Sequence, residues 1–347
     1  MTTLVEALRN HWDSRQDQPA VHLLRAKLPD LTLTYRDLIR AASDVAAKLA
    51  AAGIERGDVV AIILQHGVPL VAAFWGTILH GAVPAILPFL TEKLSPEKYR
   101  QDLASLFAIT RPAVIVTYAE FAAEARRAIS DAPDGSDRPI VIDLDAVEAV
   151  PPDWASLGGV IARPDDIALL QHSSGSTGLQ KGVALSHRAI FNQLEAYGRA
   201  IALRPDKDRI ASWLPLYHDI GLIASFVLPI TLGVPLVLLS PFDWVHAPGR
   251  LLQAISTHRA TLCWLPNFAY NFSATRVRDR DVDGLDLSSM RAFINCSEPM
   301  RAASHRMFAE RFASIGVRHA MLATCYAMAE NVFAVTQGGI DGPVVVD

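Results

Sequence analysis

Short apolar runs alternate with amphipathic stretches through the first half of the chain. Leu38, Ala42, Val45 and Leu49 recur at helical spacing, and Gly53 ends the pattern, as glycine often does after a helix. Near-continuous apolar runs of four to eight residues are typical of strands that are buried on both faces of a parallel sheet. The predicted strands are residues 58–64, 83–87, 112–117 and 139–144, and the predicted helices are 69–80, 96–107 and 120–129. This alternation predicts a doubly wound α/β unit.

The second half continues the same alternation. The two clearest loop signals are residues 131–138 and 150–153, which are rich in proline and aspartate. We place an approximate subdomain boundary at the second one. Ser186 is a candidate N-cap of a helix that runs to Ala200. Further on, residues 209–213 and 261–265 favour extended structure and residues 248–257 favour a helix.

These patterns predict an α/β protein with two adjoining doubly wound, mostly parallel sheets flanked by helices. We expect one large domain over residues 1–347, with subdomains of about 1–160 and 161–347. Ligands of such folds bind at the carboxyl ends of the strands.

One apolar segment has the length of a membrane span. Residues 222–240 carry no charge, but they include Pro229, Gly233 and Pro235, and no basic residue flanks them closely. We therefore predict a buried helix that ends near Gly233 and a buried strand over residues 234–239, and no membrane span.

Composition excludes several classes of partner. The chain has 347 residues, of which 51% are hydrophobic, and its 32 basic and 36 acidic residues give a net charge of −4 without any block of like charge. Nucleic acid and anionic membranes are therefore not expected as partners. The widely spaced Cys263, Cys296 and Cys325 indicate reduced thiols without a metal, and the first residues lack a secretion signal, so we expect a cytoplasmic protein.

The stretch of residues 170–188 has the composition of a phosphate-binding loop. Glycines allow tight turns that direct backbone N–H groups at an anion, hydroxyl groups add donors, and a lysine supplies a positive charge. It differs from the P-loop because Gly182 stands where that motif needs serine or threonine after the lysine. A flexible loop rich in serine and glycine is the alternative. The candidate phosphate-binding residues are Ser173, Ser174, Gly175, Ser176, Thr177, Gly178 and Lys181.

Residues 173–182, Ser-Ser-Gly-Ser-Thr-Gly-Leu-Gln-Lys-Gly, resemble the phosphate-binding loop of the adenylate-forming superfamily. That superfamily includes acyl-CoA synthetases, luciferases and the adenylation domains of peptide synthetases. Gln180 stands where the family usually has proline, which affects the stiffness of the loop but not its donors. The resemblance implies ATP and Mg²⁺ as cofactors.

Two later segments resemble the nucleotide-binding motifs of the same superfamily. Residues 296–299 and 324–330 each follow an apolar run and are predicted to be loops at strand ends. The resemblance implies that Ser297, Glu298 and Pro299 flank the adenine and that Glu330 binds Mg²⁺ together with Thr177. It also implies that Tyr326 stacks on the base within the segment Thr324, Cys325, Tyr326, Ala327 and Met328. Taken alone, Tyr326 could instead be a core tyrosine, and Glu330 a carboxylate in the first turn of a helix.

A fourth segment, residues 213–222, resembles the family motif in which a histidine lies beside the acyl carboxylate. His218 is the candidate, and with Lys181 and Glu330 it completes the predicted catalytic set. Asp219 could fix the tautomer of His218 or cap the helix that follows.

Residues 266–270, 297–301 and 326–336 resemble one branch of the superfamily, the fatty acyl-AMP ligases. An apolar groove for the acid would be lined by Phe226, Leu228, Trp264, Phe268 and Tyr270, although such residues more often belong to a core. No acidic residue is obviously placed to meet an α-amino group.

The resemblance therefore implies activation of a medium- or long-chain fatty acid to acyl-AMP, with release of pyrophosphate and transfer to an acyl carrier protein. Transfer to coenzyme A by an acyl-CoA synthetase is the first alternative, and a non-catalytic nucleotide- or acyl-binding module is the second. The family's small C-terminal domain is not recognised in these residues, so we expect an incomplete fold and a chain that binds ligands with little turnover.

Overall fold

A computed structural model of the chain describes residues 2–88, 96–130, 139–173 and 181–340. The strands in these ranges are β1 (Pro19–Leu24), β2 (Leu31–Thr34), β3 (Val59–Ile63), β4 (Val83–Ile86), β5 (Val114–Thr117), β6 (Ile140–Asp143), β7 (Ile167–Ser173), β8 (Lys181–Ser186), β9 (Ile210–Ser212), β10 (Leu236–Leu239), β11 (Leu262–Leu265), β12 (Ala292–Asn295), β13 (Leu322–Ala327) and β14 (Ala334–Gly338). The α-helices are α1 (Leu4–Arg15), α2 (Tyr35–Ala51), α3 (Val68–His80), α4 (Pro96–Thr110), α5 (Ala119–Ser130), α6 (His187–Ala200), α7 (Leu228–Leu232), α8 (Pro241–His246), α9 (Gly249–His258), α10 (Asn267–Arg276) and α11 (Ala302–Phe312).

The chain divides into two compact units. The first consists of Met1–Gln18 and Thr34–Phe191, and the second of Pro19–Leu33 and Asn192–Asp347. The boundary that the sequence predicted near residue 160 lies inside the first unit, because β7 pairs with β4 and β8 pairs with β7. The second unit also takes up β1, which pairs in parallel with β10. Strands β1 and β2 and helix α1 were not predicted from the sequence.

The sheet of the first unit has the strand order β6-β5-β3-β4-β7-β8. Neighbouring strands are parallel from β6 to β7, and β8 is antiparallel to β7. Every residue of β4 and β5 is buried, which explains their continuous apolar sequences. Helices α4 and α5 pack on β3 and β5 through a core of Ala61, Ile63, Leu87, Tyr99, Leu103, Leu106, Phe107, Ile115, Phe121, Ala125 and Ile129.

Helix α2 begins with a reciprocal cap between Thr34 and Asp37, which satisfies backbone N–H groups that a helix start leaves without intrahelical partners. The predicted face of α2 is confirmed, because Leu38, Ala42, Val45 and Leu49 are all buried. The predicted cap of α6 is confirmed as well, since the Ala189 N–H donates to the Ser186 hydroxyl over 3.2 Å.

The sheet of the second unit has the order β14-β13-β12-β11-β9-β10-β1-β2. The strands from β13 to β1 are parallel, and β14 is antiparallel to β13. After β9 the chain adds β10 on one side, whereas β11 joins the other side of β9. Such a reversal opens a crevice at the carboxyl ends of the two diverging strands, where α/β proteins bind ligands. The predicted class, α/β with two sheets flanked by helices, is confirmed.

The uncharged segment of residues 222–240 is buried, and its helix and strand are confirmed. A π-helix, Ile220–Val227, leads into α7, and Gly233 ends α7 at φ +77° before β10. The sequence did not predict the π-helix, which is a rare form that occurs frequently at functional sites. Across the described ranges no helix combines the length and the apolar character that a membrane span needs.

Candidate active site

The predicted site residues of the second unit lie at one edge of its sheet. Strands β9, β11, β12 and β13 are parallel, so their carboxyl ends, and the segments that follow them, emerge on the same side. His218 follows β9, Ser297 follows β12, and Glu330 follows β13. The parallel pairing thus brings together three motifs that are spread over more than a hundred residues of sequence.

His218 lies in a tight turn between β9 and the π-helix. Its N–H donates to the Pro215 carbonyl over 3.3 Å, and its carbonyl accepts from the Leu222 N–H over 2.8 Å. The imidazole keeps an exposed face, but the densely packed surroundings lower its pKa by desolvation, and the charge of Asp219 opposes this shift only partly. The ring is therefore neutral at neutral pH and offers one donor and one acceptor.

Asp219 caps the helix that follows, as one of its two predicted roles required. Its Oδ1 accepts a hydrogen bond of 2.9 Å from the Ile220 N–H. Burial raises the pKa of Asp219, the Ile220 N–H and His218 lower it, and the negative charge of Glu330 raises it again. The effect of Glu330 on Asp219 means that the segments after β9 and β13 are close enough for their charges to interact.

The segment after β12 is held by side chains that the sequence analysis missed. The Asn295 amide donates to Asn267 Oδ1 over 3.1 Å, and the same oxygen accepts from the Arg301 N–H over 3.1 Å. The Glu298 carboxylate accepts a 2.9 Å bond from the Phe268 N–H in the first turn of α10. No local pattern indicates these bonds, because they join residues about thirty positions apart.

Ser297, between these anchors, has φ +74°. This left-handed conformation is uncommon for residues other than glycine and costs about 1 kcal/mol or more. Residues 297–300 are exposed, so the turn presents its backbone to solvent at the edge where the candidate residues lie.

The prediction that residues 324–330 form a loop is partly wrong. Thr324, Cys325, Tyr326 and Ala327 belong to β13, because they pair with the antiparallel strand β14, which the apolar pattern did not predict. The Tyr326 side chain is 55% exposed. The alternative of a buried core tyrosine is therefore wrong, and the ring has a free face at the end of the sheet.

Glu330 lies in a three-residue 3₁₀ turn, Ala329–Asn331, and β14 follows it. Its carboxylate is exposed and forms no ion pair with any residue in the described part of the chain. The next residues form a γ-turn, in which Val332 has φ +65° and the Phe333 N–H donates to the Asn331 carbonyl over 2.7 Å. A β-branched residue rarely adopts this strained conformation. Glu330 thus stands in the first turn of a helix, as the alternative expected, although this helix is a single 3₁₀ turn of three residues.

Most of the residues predicted to line an apolar groove form part of the core instead. Phe226, Leu228, Trp264 and Tyr270 are fully buried, whereas Phe268 is 45% exposed. Phe268 packs edge-on against Trp213 and Trp244, whose rings stack with centroids 3.6 Å apart. Trp213 follows β9 and Phe268 follows β11, so this aromatic group lies beside the crevice at the strand reversal.

The predicted phosphate-binding loop belongs to the first unit. The backbones of Ser173 and Lys181 pair across β7 and β8, so the loop connects two antiparallel strands. The predicted residues Ser174, Gly175, Ser176, Thr177 and Gly178 lie outside the described residues. Next to this loop His172 is buried, and burial lowers its pKa.

Two cavities lie away from the predicted residues. One of about 520 Å³ in the first unit is lined by Arg56, Val83 and Ile167 among others, at the amino ends of β4 and β7. The other, of about 500 Å³ in the second unit, lies between α8, α9 and α10 and is lined by Arg250 and Arg276 among others. Neither includes a predicted site residue. No group of three or more metal-ligating side chains occurs among the residues that the structure describes.

Comparison with known proteins gives three kinds of match. A family model described as AMP-binding enzyme matches residues 8–345. In Mycobacterium tuberculosis, fadD25, named as a fatty-acid–CoA ligase, is 30% identical over 324 residues, and the long-chain-fatty-acid–AMP ligase FadD28 is 30% identical over 326 residues. Both alignments cover 91% of this chain but 54% of the relative, so the chain spans about half the length of these relatives.

Among solved structures, a fatty acyl-adenylate ligase from L. pneumophila, in complex with acyl adenylate and pyrophosphate, matches with a TM-score of 0.86 and 29% identity. The match covers 99% of this chain and 58% of that chain.

Proposed function

The chain belongs to the AMP-binding enzyme family, and on that premise we propose that it forms the nucleotide- and acid-binding part of a fatty acid-activating ligase. The reaction joins a medium- or long-chain fatty acid to ATP, giving acyl-AMP and pyrophosphate. The observation that carries the proposal is the single sheet edge of the second unit, where His218, Ser297, Tyr326 and Glu330 follow or end parallel strands.

Adenylate formation needs control of charge more than acid–base catalysis. The carboxylate of the acid is ionised near neutral pH and attacks the α-phosphorus directly. Fixed donors must therefore hold the phosphates and stabilise the charge that develops in the transition state. We assign this role to the backbone and hydroxyl groups of residues 173–178 and to the Lys181 ammonium. The neutral imidazole of His218 orients the acyl carboxylate through its N–H donor.

We assign the base of the nucleotide to the second unit. Tyr326 presents a half-exposed ring on which an adenine can stack, while Ser297, Glu298 and Pro299 flank the base through their backbone. The hydrogen bonds of Asn267 and Glu298 hold this turn, so its backbone groups are positioned before the ligand arrives. Thr324, Cys325, Ala327 and Met328 complete the nucleotide-binding segment.

Magnesium is the implied metal. Glu330 fits a hard cation, because its carboxylate is exposed and unpaired among the described residues and carboxylate oxygens are preferred Mg²⁺ ligands. We propose that Glu330 and Thr177 hold the ion, which neutralises the triphosphate when bound.

The relatives suggest two acceptors of the acyl group. One of them is named as a fatty-acid–AMP ligase and the other as a fatty-acid–CoA ligase. We propose a thiol of an acyl carrier protein as the acceptor, because residues 266–270 and 326–336 resemble the acyl-AMP ligase branch. Coenzyme A is the competing acceptor, and adding each to the protein loaded with acyl-AMP shows which thiol consumes the adenylate.

The proposal is tested by binding, which requires only this chain. Non-hydrolysable sulfamoyl analogues of dodecanoyl-AMP and phenylalanyl-AMP are titrated by calorimetry, with AMP as the reference ligand. We expect the dodecanoyl analogue to bind most tightly. Tighter binding of the phenylalanyl analogue would contradict the fatty acid assignment. Absence of binding by all three ligands would favour a scaffold without nucleotide chemistry.

A further inference from the structure

Two of the three cysteines lie side by side beneath the candidate nucleotide-binding edge. Strands β12 and β13 are parallel, with Asn295 opposite Thr324. The next residues, Cys296 and Cys325, are therefore also neighbours across the two strands. Neighbouring strands are about 4.8 Å apart, and disulfides join Cα atoms that are roughly 4.4 to 6.8 Å apart. The backbone positions thus suit a disulfide.

The two thiols already interact. The nearby Cys325 thiol and burial raise the pKa of Cys296, whereas the nearby Cys296 thiol lowers the pKa of Cys325 against the opposing effect of burial. The Tyr197 hydroxyl, which donates its hydrogen to Gln337 Oε1 over 2.7 Å, also lies near the Cys325 sulfur. Cys325 is therefore the member of the pair that becomes a thiolate, which is the nucleophilic form of cysteine.

Both cysteines are buried, but the residue that follows each of them in the sequence is exposed. Cys296 and Cys325 are 0% and 2% exposed, and each is followed directly by an exposed residue, Ser297 and Tyr326. The third thiol, Cys263, is also buried in the same sheet, but burial alone raises its pKa and neither of the other thiols contributes to that shift. The chain thus contains one pair of neighbouring thiols and one internal reference thiol.

From this geometry we infer that Cys296 and Cys325 are an oxidative modification site, at which a peroxide converts the pair to an intramolecular disulfide that weakens nucleotide binding. The second clause rests on the proposed function, because it depends on Ser297 and Tyr326 contacting the nucleotide. The disulfide itself does not depend on that function.

The chemistry balances with a peroxide as the oxidant. The Cys325 thiolate attacks one peroxide oxygen, the O–O bond breaks, and one water leaves after protonation, so that Cys325 becomes a sulfenic acid. The Cys296 sulfur then attacks the Cys325 sulfur, the S–O bond breaks and a second water leaves. Two thiols and one hydrogen peroxide thus give one disulfide and two waters. A small dithiol reverses the step by thiol–disulfide exchange.

The effect on the nucleotide site follows from distance. Two sulfurs that are not yet bonded must move closer to reach a bond length of about 2.05 Å, and the adjacent backbones of Ser297 and Tyr326 move with them. A misplacement of about 1 Å can cost about 10²-fold in catalytic rate, and a shift of this size at the nucleotide edge is expected to lower affinity as well. We expect the oxidised chain to bind the dodecanoyl-adenylate analogue roughly tenfold more weakly.

Mass spectrometry tests the modification directly. Trypsin releases the cysteines in separate peptides, residues 260–276, 292–301 and 319–347. After treatment with hydrogen peroxide and alkylation under denaturing conditions, we expect a cross-link between 292–301 and 319–347, with Cys263 alkylated. Recovery of Cys296 and Cys325 as alkylated thiols, or a cross-link that includes Cys263, overturns the inference.

Matched variants separate the modification from its consequence. Cys263→Ser is expected to keep both the cross-link and the loss of affinity, whereas Cys296→Ser is expected to lose both. Circular dichroism verifies that each variant is folded. If the cross-link forms and the affinity for the adenylate analogue stays unchanged, the inference that the disulfide weakens nucleotide binding is wrong. If neither the reduced nor the oxidised chain binds the analogue, the proposed function fails while the modification site stands.

Discussion

Gly221 lies directly against the carbonyl oxygen of Pro215. A Cβ atom at position 221 would be 2.1 Å from that oxygen, which is far inside van der Waals contact. The approach closes the turn that carries His218, between β9 and the π-helix. Glycine is required here by space rather than by a left-handed backbone, because Gly221 is not among the residues with positive φ.

The substitution Gly221→Ala is therefore expected to lower the free energy of unfolding by about 1–3 kcal/mol, as overpacking does in a tight interior. Gly198→Ala is the matched control, because a Cβ at position 198 in α6 would meet only atoms 3.8 Å or more away. That control is expected to gain about 0.4–1 kcal/mol from the better helix propensity of alanine. Urea unfolding measures both variants, and equal stability of the two would contradict the packing argument.

Glu330 is expected to make nucleotide binding dependent on magnesium. In Glu330→Ala, we expect ATP affinity to lose its increase with added Mg²⁺ while the affinity without Mg²⁺ stays the same, because the variant removes the carboxylate oxygens. Glu310→Ala, at an exposed glutamate of α11, is the control and should respond to Mg²⁺ like the wild type. Calorimetry with and without Mg²⁺ makes the comparison. A retained magnesium response in Glu330→Ala would rule out this metal role.

The half-exposed ring of Tyr326 predicts a stacking contribution to adenylate affinity. Tyr326→Ala is expected to weaken binding of the dodecanoyl-adenylate analogue by about 1–3 kcal/mol, the usual range for a base on an aromatic side chain. Tyr326→Phe keeps the ring and is expected to bind within about a factor of three of the wild type. Were Tyr326→Phe to lose as much affinity as Tyr326→Ala, the hydroxyl rather than the ring face would be the contact.

His187 makes the stability of the first unit sensitive to acid. Its Nδ1 accepts a 3.2 Å bond from the Leu4 N–H, and burial lowers its pKa to about 4, against the opposing charges of Asp166 and Glu6. Because the unfolded ring has a pKa near 6.5, its contribution is intact above that pH and is lost progressively as the pH falls toward 4. The loss is about 2 kcal/mol by pH 5.

The variant His187→Asn tests this linkage, because asparagine offers an oxygen to the Leu4 N–H and does not titrate. Between pH 7 and pH 5, the free energy of unfolding should fall by about 2 kcal/mol less in this variant than in the wild type. His246→Asn, at an exposed histidine, serves as the control and should keep the wild-type pH dependence. Parallel pH profiles for the wild type and His187→Asn would show that His187 is not the group responsible.

Local periodicity was sufficient for most elements. The helix over Tyr35–Ala51 was legible because one face is buried along its whole length, and β3 to β5 because parallel strands are apolar on both faces. The 3.6- and 2-residue repeats are properties of neighbouring positions, so they appear in the sequence without knowledge of the fold. The antiparallel strand β14 was missed because its sequence, Ala-Val-Thr-Gln-Gly, is not an apolar run and its residues are half-buried or exposed.

The candidate site divides in the same way. Local sequence was sufficient to predict the phosphate-binding residues around Gly175 and Lys181. It was also sufficient for the motifs around His218, Tyr326 and Glu330. It was not sufficient for the bond from Phe268 to Glu298 and the positive φ of Ser297. These features arise when separate strand ends meet, and the residue types at positions 297 and 298 do not predict them.

The amino-acid sequence by itself determined the alternation of helices and strands, the α/β class and the chemical types available for binding a nucleotide, because these depend on residues close together in the chain. Only the tertiary structure decided that β1 joins β10 in the second unit and that Cys296 lies beside Cys325. Such pairings are selected by the burial and hydrogen bonding of strands that are distant in sequence, and the apolar strands of a parallel sheet resemble one another too closely to specify their neighbours.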